Sequence, residues 1–324
     1  MRPAAPRPTR PRSRKSTVPV GPPPAPPTLP TRRPGATLPQ NLGNAAMSAP
    51  RIALVQPRTI APPADEANVA AAIAWIARAA ASGADFVCFP ENYPGPWRMP
   101  ARFDPIPALA EAARAHRIHA VFGTIEPIDP ATGAAHNLVV MAFPDGRPPA
   151  RYRRTHPHGP WLYRGGKYWD FDYVPGNDFP VFDTDHGKVG LAMCSEVYMP
   201  EVTRMLALNG AELIFMPSGV NKHRLWESWR TLLHARAIEN LALVVSTQNL
   251  IEPDDRGLAI LAGPEGVLFE TTAEGMGVVD APLARIRALR AGRDGVGSSA
   301  RAAAKEGVLS AQWQRPELYA RRQA

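Results

Sequence analysis

Two side chains in this 324-residue sequence have the chemistry of a nucleophile and its base. Cys194 ends an apolar run, residues 189–194, that reads as a buried strand, and a helix starting near Pro200 follows it. A thiol at a strand-to-helix turn faces peptide N–H groups, which lower its pKa and can donate to an oxyanion. A buried structural cysteine would leave the same local pattern. Glu91 leaves a second strand in the stretch FPENYPG, at the carboxyl edge where α/β sites gather. Pro90 and Pro94 stiffen that turn, although a helix cap or a solvated acid would also fit. Cys88, in FVCFP, has apolar neighbours on both sides and reads as core. His156 and His158 form an HPH pair with no third ligand at metal-binding spacing, so no metal site is expected.

These groups need a sheet to position them. From Arg51 onward, short apolar runs alternate with helical patterns. Strands are expected over 52–56, 85–90, 119–124 and 137–143, with helices over 66–81 and 107–116. A Pro-Asp-Gly turn closes the fourth strand. Beyond a long aromatic loop come strands 181–183, 189–194 and 213–217, a helix over 200–208 stopped by Asn209-Gly210, and a helix over 225–239 leading to strand 241–248. Short strands at 259–262, 267–269 and 277–280 have the spacing of hairpins. Alternating βα units with some antiparallel pairing predict mixed sheet covered by helices. The loop HPHGPWLYRGGKYWDFDYVPG places Trp161, Tyr163, Tyr168, Trp169, Phe171 and Tyr173 within 13 residues. Such density reads as a substrate wall or lid, or else as an interface patch.

Composition narrows the class. Two cysteines exclude a disulfide scaffold, and no CxxC or Cys/His cluster marks structural zinc. No run of 18 apolar residues spans a membrane, and no apolar stretch of signal-peptide length follows the basic N-terminus, so a cytoplasmic protein is expected. The net charge of +8 resides wholly in residues 1–46, which hold eight basic residues and no acid. Residues 47–324 carry 29 basic against 29 acidic residues, so the charge is no argument for nucleic-acid binding by the domain. The first 46 residues also hold 13 of the 38 prolines and no aromatic residue, the composition of a disordered extension. MSAPRIALVQP makes Met47 an alternative start. The division expected is an extension over 1–46, a catalytic domain over 47–284, and a C-terminal extension over 285–324 whose Trp313 and Tyr319 dock on the domain or on a partner subunit.

The pattern as a whole resembles the nitrilase (carbon–nitrogen hydrolase) superfamily, and its amidase-like branch in particular. FPE at 89–91, YRRTH at 152–156 and GLAMCSEVYMPE at 190–201 carry the resemblance in order and spacing. Asn137, PDG at 144–146, PGND at 175–178, PSG at 217–219, ARAIEN at 235–240 and GPEG at 263–266 extend it from Arg51 to about Asp280. It implies an α/β fold, a four-layer αββα sandwich with two mixed β-sheets, in subunits that pair as homodimers or higher homo-oligomers. It also implies a Glu–Lys–Cys triad. Cys194 would attack a small amide or nitrile, Glu91 would serve as general base and acid, and water would release the acyl group without any cofactor. The backbone N–H of Ser195 would join the cation in binding the oxyanion. Glu196 would support the site geometry, with Arg236 as a conceivable partner, and Tyr93, Trp161 and Trp169 would contact substrate. Ser195-Glu196 after the cysteine, in place of the Trp-Glu of typical nitrilases, favours an amidase over a nitrilase; N-carbamoyl hydrolysis stays open.

The sequence departs from that pattern twice. The family's lysine falls on Arg154, a longer, planar and permanently charged substitute. Lys167 is the one nearby lysine that could reach in instead. A second glutamate, seven residues before the glycine of the PG turn, is replaced by Trp169, with Asp170 or Asp172 as candidates for its role. Arg154 motivates an alternative to catalysis: a weakened or non-catalytic member that binds a ligand or partner.

Overall fold

Apolar residues that alternate along each strand sort the strands into two sheets, because successive side chains point to opposite faces. The computed structural model describes residues 49–156, 163–219, 225–293 and 309. The extension 1–46, Trp161, Trp313 and Tyr319 lie outside the described residues.

In the first sheet β1 (Arg51–Gln56), β2 (Phe86–Cys88) and β3 (His119–Asp129) run parallel, connected by helices α1 (Ala67–Ala81) and α2 (Ile106–His116). β4 (Ala134–Ala142) and β5 (Ala150–Arg153) continue the sheet in antiparallel fashion, and β6 (Asp172–Tyr173) pairs with the start of β4. The second sheet holds β7 (Val181–Thr184), β8 (Gly187–Leu191), β9 (Leu213–Phe215), β10 (Leu243–Ser246), β11 (Ala259–Gly263) and β12 (Gly266–Thr271) in reverse spatial order. Helices α3 (Pro200–Leu208) and α4 (Trp226–Asn240) connect its parallel centre, β8–β9–β10. β13 (Gly275–Asp280) returns to the first sheet and closes its free edge against β1.

Three apolar layers hold the sandwich. Leu54, Phe86, Val121 and Met141 of the first sheet meet Leu191, Phe215, Val245 and Leu261 of the second. On the first sheet's outer face, Val55, Val87 and Phe122 pack under Ile76 and Leu109 of α1 and α2. Ile214, Val244 and Ile260 pack under Leu206, Leu233 and Ala237 of α3 and α4. Each central strand is thus buried on both faces, which is why it reads as a continuous apolar run. The result is the expected αββα sandwich with two mixed sheets.

Differences from the expected elements have local causes. The strand expected over 189–194 stops at Leu191, because the chain leaves the ladder there to build the turn around Cys194. β5 escapes a hydrophobic pattern because it is four residues long and alternates buried Ala150 and Tyr152 with exposed arginines. A fifth helix, α5 (Leu283–Arg290), crosses the expected boundary at 284/285. Its Leu283, Ile286 and Leu289 keep helical spacing and are buried, a pattern hidden by the arginines between them. Cys88 lies in the inner layer, where burial pushes its thiol up to about 12. Among the described residues no helix is long and apolar enough to cross a membrane.

Candidate active site

Strand polarity gathers the chemistry at one edge. β2, β5, β8, β9 and β10 all end on the same side of the sandwich, and Glu91, Arg154, Cys194, Gly219 and Asn249 follow them. Contacts across the two sheets join these ends. The Glu91 N–H donates to Ser218 O at 3.0 Å, the Asn249 side-chain amide donates to Glu91 O at 2.8 Å, and the Cys194 N–H donates to Pro217 O at 2.8 Å.

Glu91 is buried, and its Oε1 accepts from Arg154 Nη1 at 2.9 Å and from Asn137 Nδ2 at 3.4 Å. Its carboxylate lies beside the Cys194 thiol and raises the thiol's pKa. Cys194 opens a single 3-10 turn, Cys194–Tyr198, with φ of 50°, a left-handed conformation uncommon outside glycine. Such a backbone costs on the order of 1–3 kcal/mol and persists where its surroundings hold it.

Glu196 does the holding. Its Oε2 accepts from Met193 N at 2.8 Å, just before the cysteine. Its Oε1 accepts from the Tyr152 hydroxyl at 2.7 Å, Thr155 N at 2.9 Å, Thr155 Oγ1 at 2.8 Å and His156 N at 3.0 Å. One fully buried carboxylate therefore staples the cysteine turn to the segment that carries Arg154. The pairing with Arg236 is not made; Arg236 bonds Glu239 at 2.7 Å and Val197 O at 2.9 Å.

The guanidinium of Arg154 is 1 % exposed and is held at all three nitrogens. Nε donates to His156 O at 2.9 Å, Nη1 to Glu91 and to the Tyr163 hydroxyl, and Nη2 to Ser195 Oγ. Five N–H groups are available. Four are engaged, leaving one on Nη2 without a partner among the described residues. Burial works against this charge, yet the carboxylates of Glu91 and Glu196 favour it and Arg154 stays firmly protonated.

The thiol corrects an expectation. Burial, then the Glu91 charge, push Cys194 well above the ordinary thiol range. Arg154 and the Gly219 N–H pull in the opposite direction and are outweighed. The turn does not supply a ready thiolate, so attack requires a base, and the carboxylate beside the sulfur is that of Glu91.

The wall residues divide. Trp169 stacks on Trp97, with centroids 5.1 Å apart, and borders the carboxylate: a Cβ on Gly219 would lie 2.7 Å from Glu91 Oε2 and 3.5 Å from the Trp169 ring. Tyr93 instead turns outward, stacks on Phe89 and joins the layer beneath α1 and α2, so it does not line the site. The Asp170 carboxylate accepts from Gly165 N at 2.7 Å, shapes the turn before Trp169, and is not among the hydrogen-bond partners of Arg154. Asp172 pairs with Arg164 and Lys167 with Glu252, so neither reaches the triad. Tyr163 and Asn249 carry no signal of their own in the sequence: one is a tyrosine among six aromatics, the other a polar residue at a strand end. Asn137 and the PSG stretch are visible as pattern without a role.

The carbon–nitrogen hydrolase family model matches residues 51–291. The deaminated glutathione amidase of Synechocystis is 29% identical over 217 residues, 62% of this chain and 80% of that protein. The omega-amidase NIT2 of Homo sapiens is 29% identical over 213 residues, covering 62% and 74%. Among solved structures, an amidase from Nesterenkonia sp. AN1 superposes with a TM-score of 0.65 at 24% identity over 84% of this chain and 98% of that one. A glutamate-to-glutamine mutant of that amidase, with a TM-score of 0.63 at 25% identity over 76% and 95%, has the acetamide moiety of fluoroacetamide added covalently to its active-site cysteine.

Proposed function

The chain belongs to the carbon–nitrogen hydrolase family and is a hydrolase of carbon–nitrogen bonds other than peptide bonds; from that premise we propose that it is an amidase acting on small carboxamides through a thioester on Cys194. The observation that carries this reading is one buried carboxylate, Glu91, bonded to the guanidinium at 2.9 Å and close enough to the thiol to raise its pKa. Glu91 takes the proton from the sulfur as the sulfur attacks the carbonyl carbon. The carbonyl oxygen gains charge, and the free Nη2 N–H of Arg154 receives it together with the Ser195 backbone N–H. As the C–N bond breaks, Glu91 passes its proton to nitrogen and ammonia leaves. Water enters the vacated position, gives a proton to Glu91 and attacks the thioester. The acid departs, and the proton returns from Glu91 to the sulfur. The balance is amide plus water to acid plus ammonia.

The covalent adduct in the Nesterenkonia amidase supports the cysteine as nucleophile by analogy. Nitriles and N-carbamoyl amines meet the same atoms and are the comparison substrates. The test is ammonia release from a panel of acetamide, butyramide, propionitrile and N-carbamoyl amines, with mass spectrometry of Cys194 after rapid quenching. Turnover of an amide, an acyl adduct on Cys194 and loss of both in Cys194→Ala are expected. Absence of turnover and adduct across the panel would overturn the reading.

Two copies of the chain are proposed to pair through α3 and α4. Met205 and Leu208 of α3, Ile238 of α4 and Tyr198 of the turn before α3 are exposed apolar side chains on this side of the domain. Light scattering that gives a monomer mass would remove this part.

A further inference from the structure

We propose that Tyr163 is a positioning residue for the catalytic cation: with Ser195 Oγ, its phenol oxygen forms a seat shaped for a guanidinium. The inference rests on the thiol-hydrolase reading and adds to it a residue that the Glu–cation–Cys triad does not contain.

The ring of Tyr163 is fixed before it meets Arg154. It is 3 % exposed and packs against Phe171, centroids 4.8 Å apart, and Tyr173, centroids 5.3 Å apart with ring planes 18° from parallel. Its carbonyl accepts from Phe171 N at 2.8 Å. The hydroxyl of Tyr173 in turn donates to the Arg154 carbonyl, so backbone and side chain of the arginine are held by one aromatic stack. The phenol oxygen accepts from Arg154 Nη1, the same nitrogen that donates to Glu91 at 2.9 Å. Burial above all keeps the phenol neutral, pushing its pKa above the usual range.

The consequence is geometric. Nη1 sits between the Glu91 carboxylate and a neutral oxygen, and it cannot swing toward the carboxylate's second oxygen without leaving Tyr163. With Nη1 placed by Tyr163 and Nη2 by Ser195 Oγ, turning of the planar guanidinium about the Cδ–Nε bond is resisted on both arms. The remaining Nη2 N–H then has one direction to point. An ammonium donates its three N–H groups from one nitrogen and lacks the planar two-nitrogen spacing that these acceptors meet. Tyr163 and Arg154 are therefore one unit, and the value of the phenol depends on the planar fork opposite it.

The test compares wild type, Tyr163→Phe, Arg154→Lys and the double variant. Tyr163→Phe keeps the ring against Phe171 and Tyr173, and a thermal melt verifies the fold. On the best amide of the panel, kcat is expected to fall about 10- to 100-fold, the worth of one hydrogen bond to a charged group, with KM within about twofold. In the Arg154→Lys background the same change is expected to cost less than about threefold, because the fork that the phenol holds is gone. A second readout needs no turnover: the pH profile of Cys194 alkylation by iodoacetamide, followed by mass spectrometry, with Cys88 shielded in the core. Loosening Arg154 weakens its pull on the thiol, so the profile of Tyr163→Phe is expected to move to higher pH. Unchanged kcat with an unchanged alkylation profile, or equal losses in the two backgrounds, would overturn the proposal while leaving the amidase reading intact. If no amide is turned over by wild type, the amidase reading fails, and the alkylation profile alone decides for or against Tyr163.

Discussion

Arg154→Lys keeps the charge and removes the shape, and the structure ties the outcome to the shape. The four hydrogen bonds of the guanidinium leave three nitrogens in three directions: toward His156 O, toward Glu91 and Tyr163, and toward Ser195 Oγ. An ammonium places three N–H groups on one point. Set against Glu91, it leaves the His156 carbonyl and the Ser195 hydroxyl without their donor and vacates the Nη2 position proposed to face the reacting oxygen. Loss of one oxyanion donor costs roughly 10²–10³ in kcat. Two lost bonds to a charged donor destabilise by about 1.5–3 kcal/mol each, less whatever entering water restores. The expected result is a kcat lowered about 10²–10³-fold and a fold weakened by a few kcal/mol, on the order of 3–5. Steady-state ammonia release gives the first quantity and urea unfolding the second. A lysine variant as active as wild type, or more active, would refute the reasoning: Arg154 would then be a poor copy of an ammonium, and its four acceptors incidental.

Other variants separate the remaining parts of the site. Glu91→Gln removes the proposed base and also the negative charge that raises the thiol. Turnover should fall by at least about 10²–10⁴ while the alkylation profile of Cys194 shifts to lower pH, and a shift to higher pH would contradict the assigned electrostatics. Gly219→Ala introduces a Cβ 2.7 Å from Glu91 Oε2. It should displace the carboxylate and lower kcat roughly tenfold or more with an unchanged melting temperature, and wild-type kinetics would show that Glu91 has room to move. At the opposite edge of the sandwich, burial lowers the pKa of His119 to about 4, where it stacks on Phe86 with centroids 4.5 Å apart. The unfolded chain binds this proton more readily, near pH 6.5, so the contribution is complete above that value and is lost as pH falls toward 4. It amounts to about 3 kcal/mol. Urea unfolding between pH 7 and 4 should show that slope in wild type, and His119→Phe should flatten it; an equal slope in both would assign it elsewhere.

Much of this was legible in the residues because it depends on neighbours along the chain. Apolar runs at 52–56, 213–217 and 241–248 mark strands buried on both faces, and the Pro200–Leu208 helix has its proline at one end and Asn209-Gly210 at the other. FPE and CSE each sit at a strand end, so the two reactive groups announce themselves locally. β5 and α5 did not, since arginines on their solvent faces interrupt the apolar pattern that the buried faces keep.

What only the tertiary structure decided lies in contacts between distant segments. Tyr93 follows the same strand end as Glu91 by two residues, yet one side chain turns to the outer helices and the other to the sulfur; local spacing does not distinguish them. The thiol's turn suggests a lowered pKa, and burial beside a carboxylate more than a hundred residues earlier reverses the sign. Arg154 looks in the sequence like a damaged lysine. In the fold it is a fork with an acceptor at each nitrogen, drawn from positions 91, 156, 163 and 195. Residue type and order determine which chemistry is available. Desolvation and hydrogen-bond direction determine what each group does, and both come into being when the two sheets close on one another.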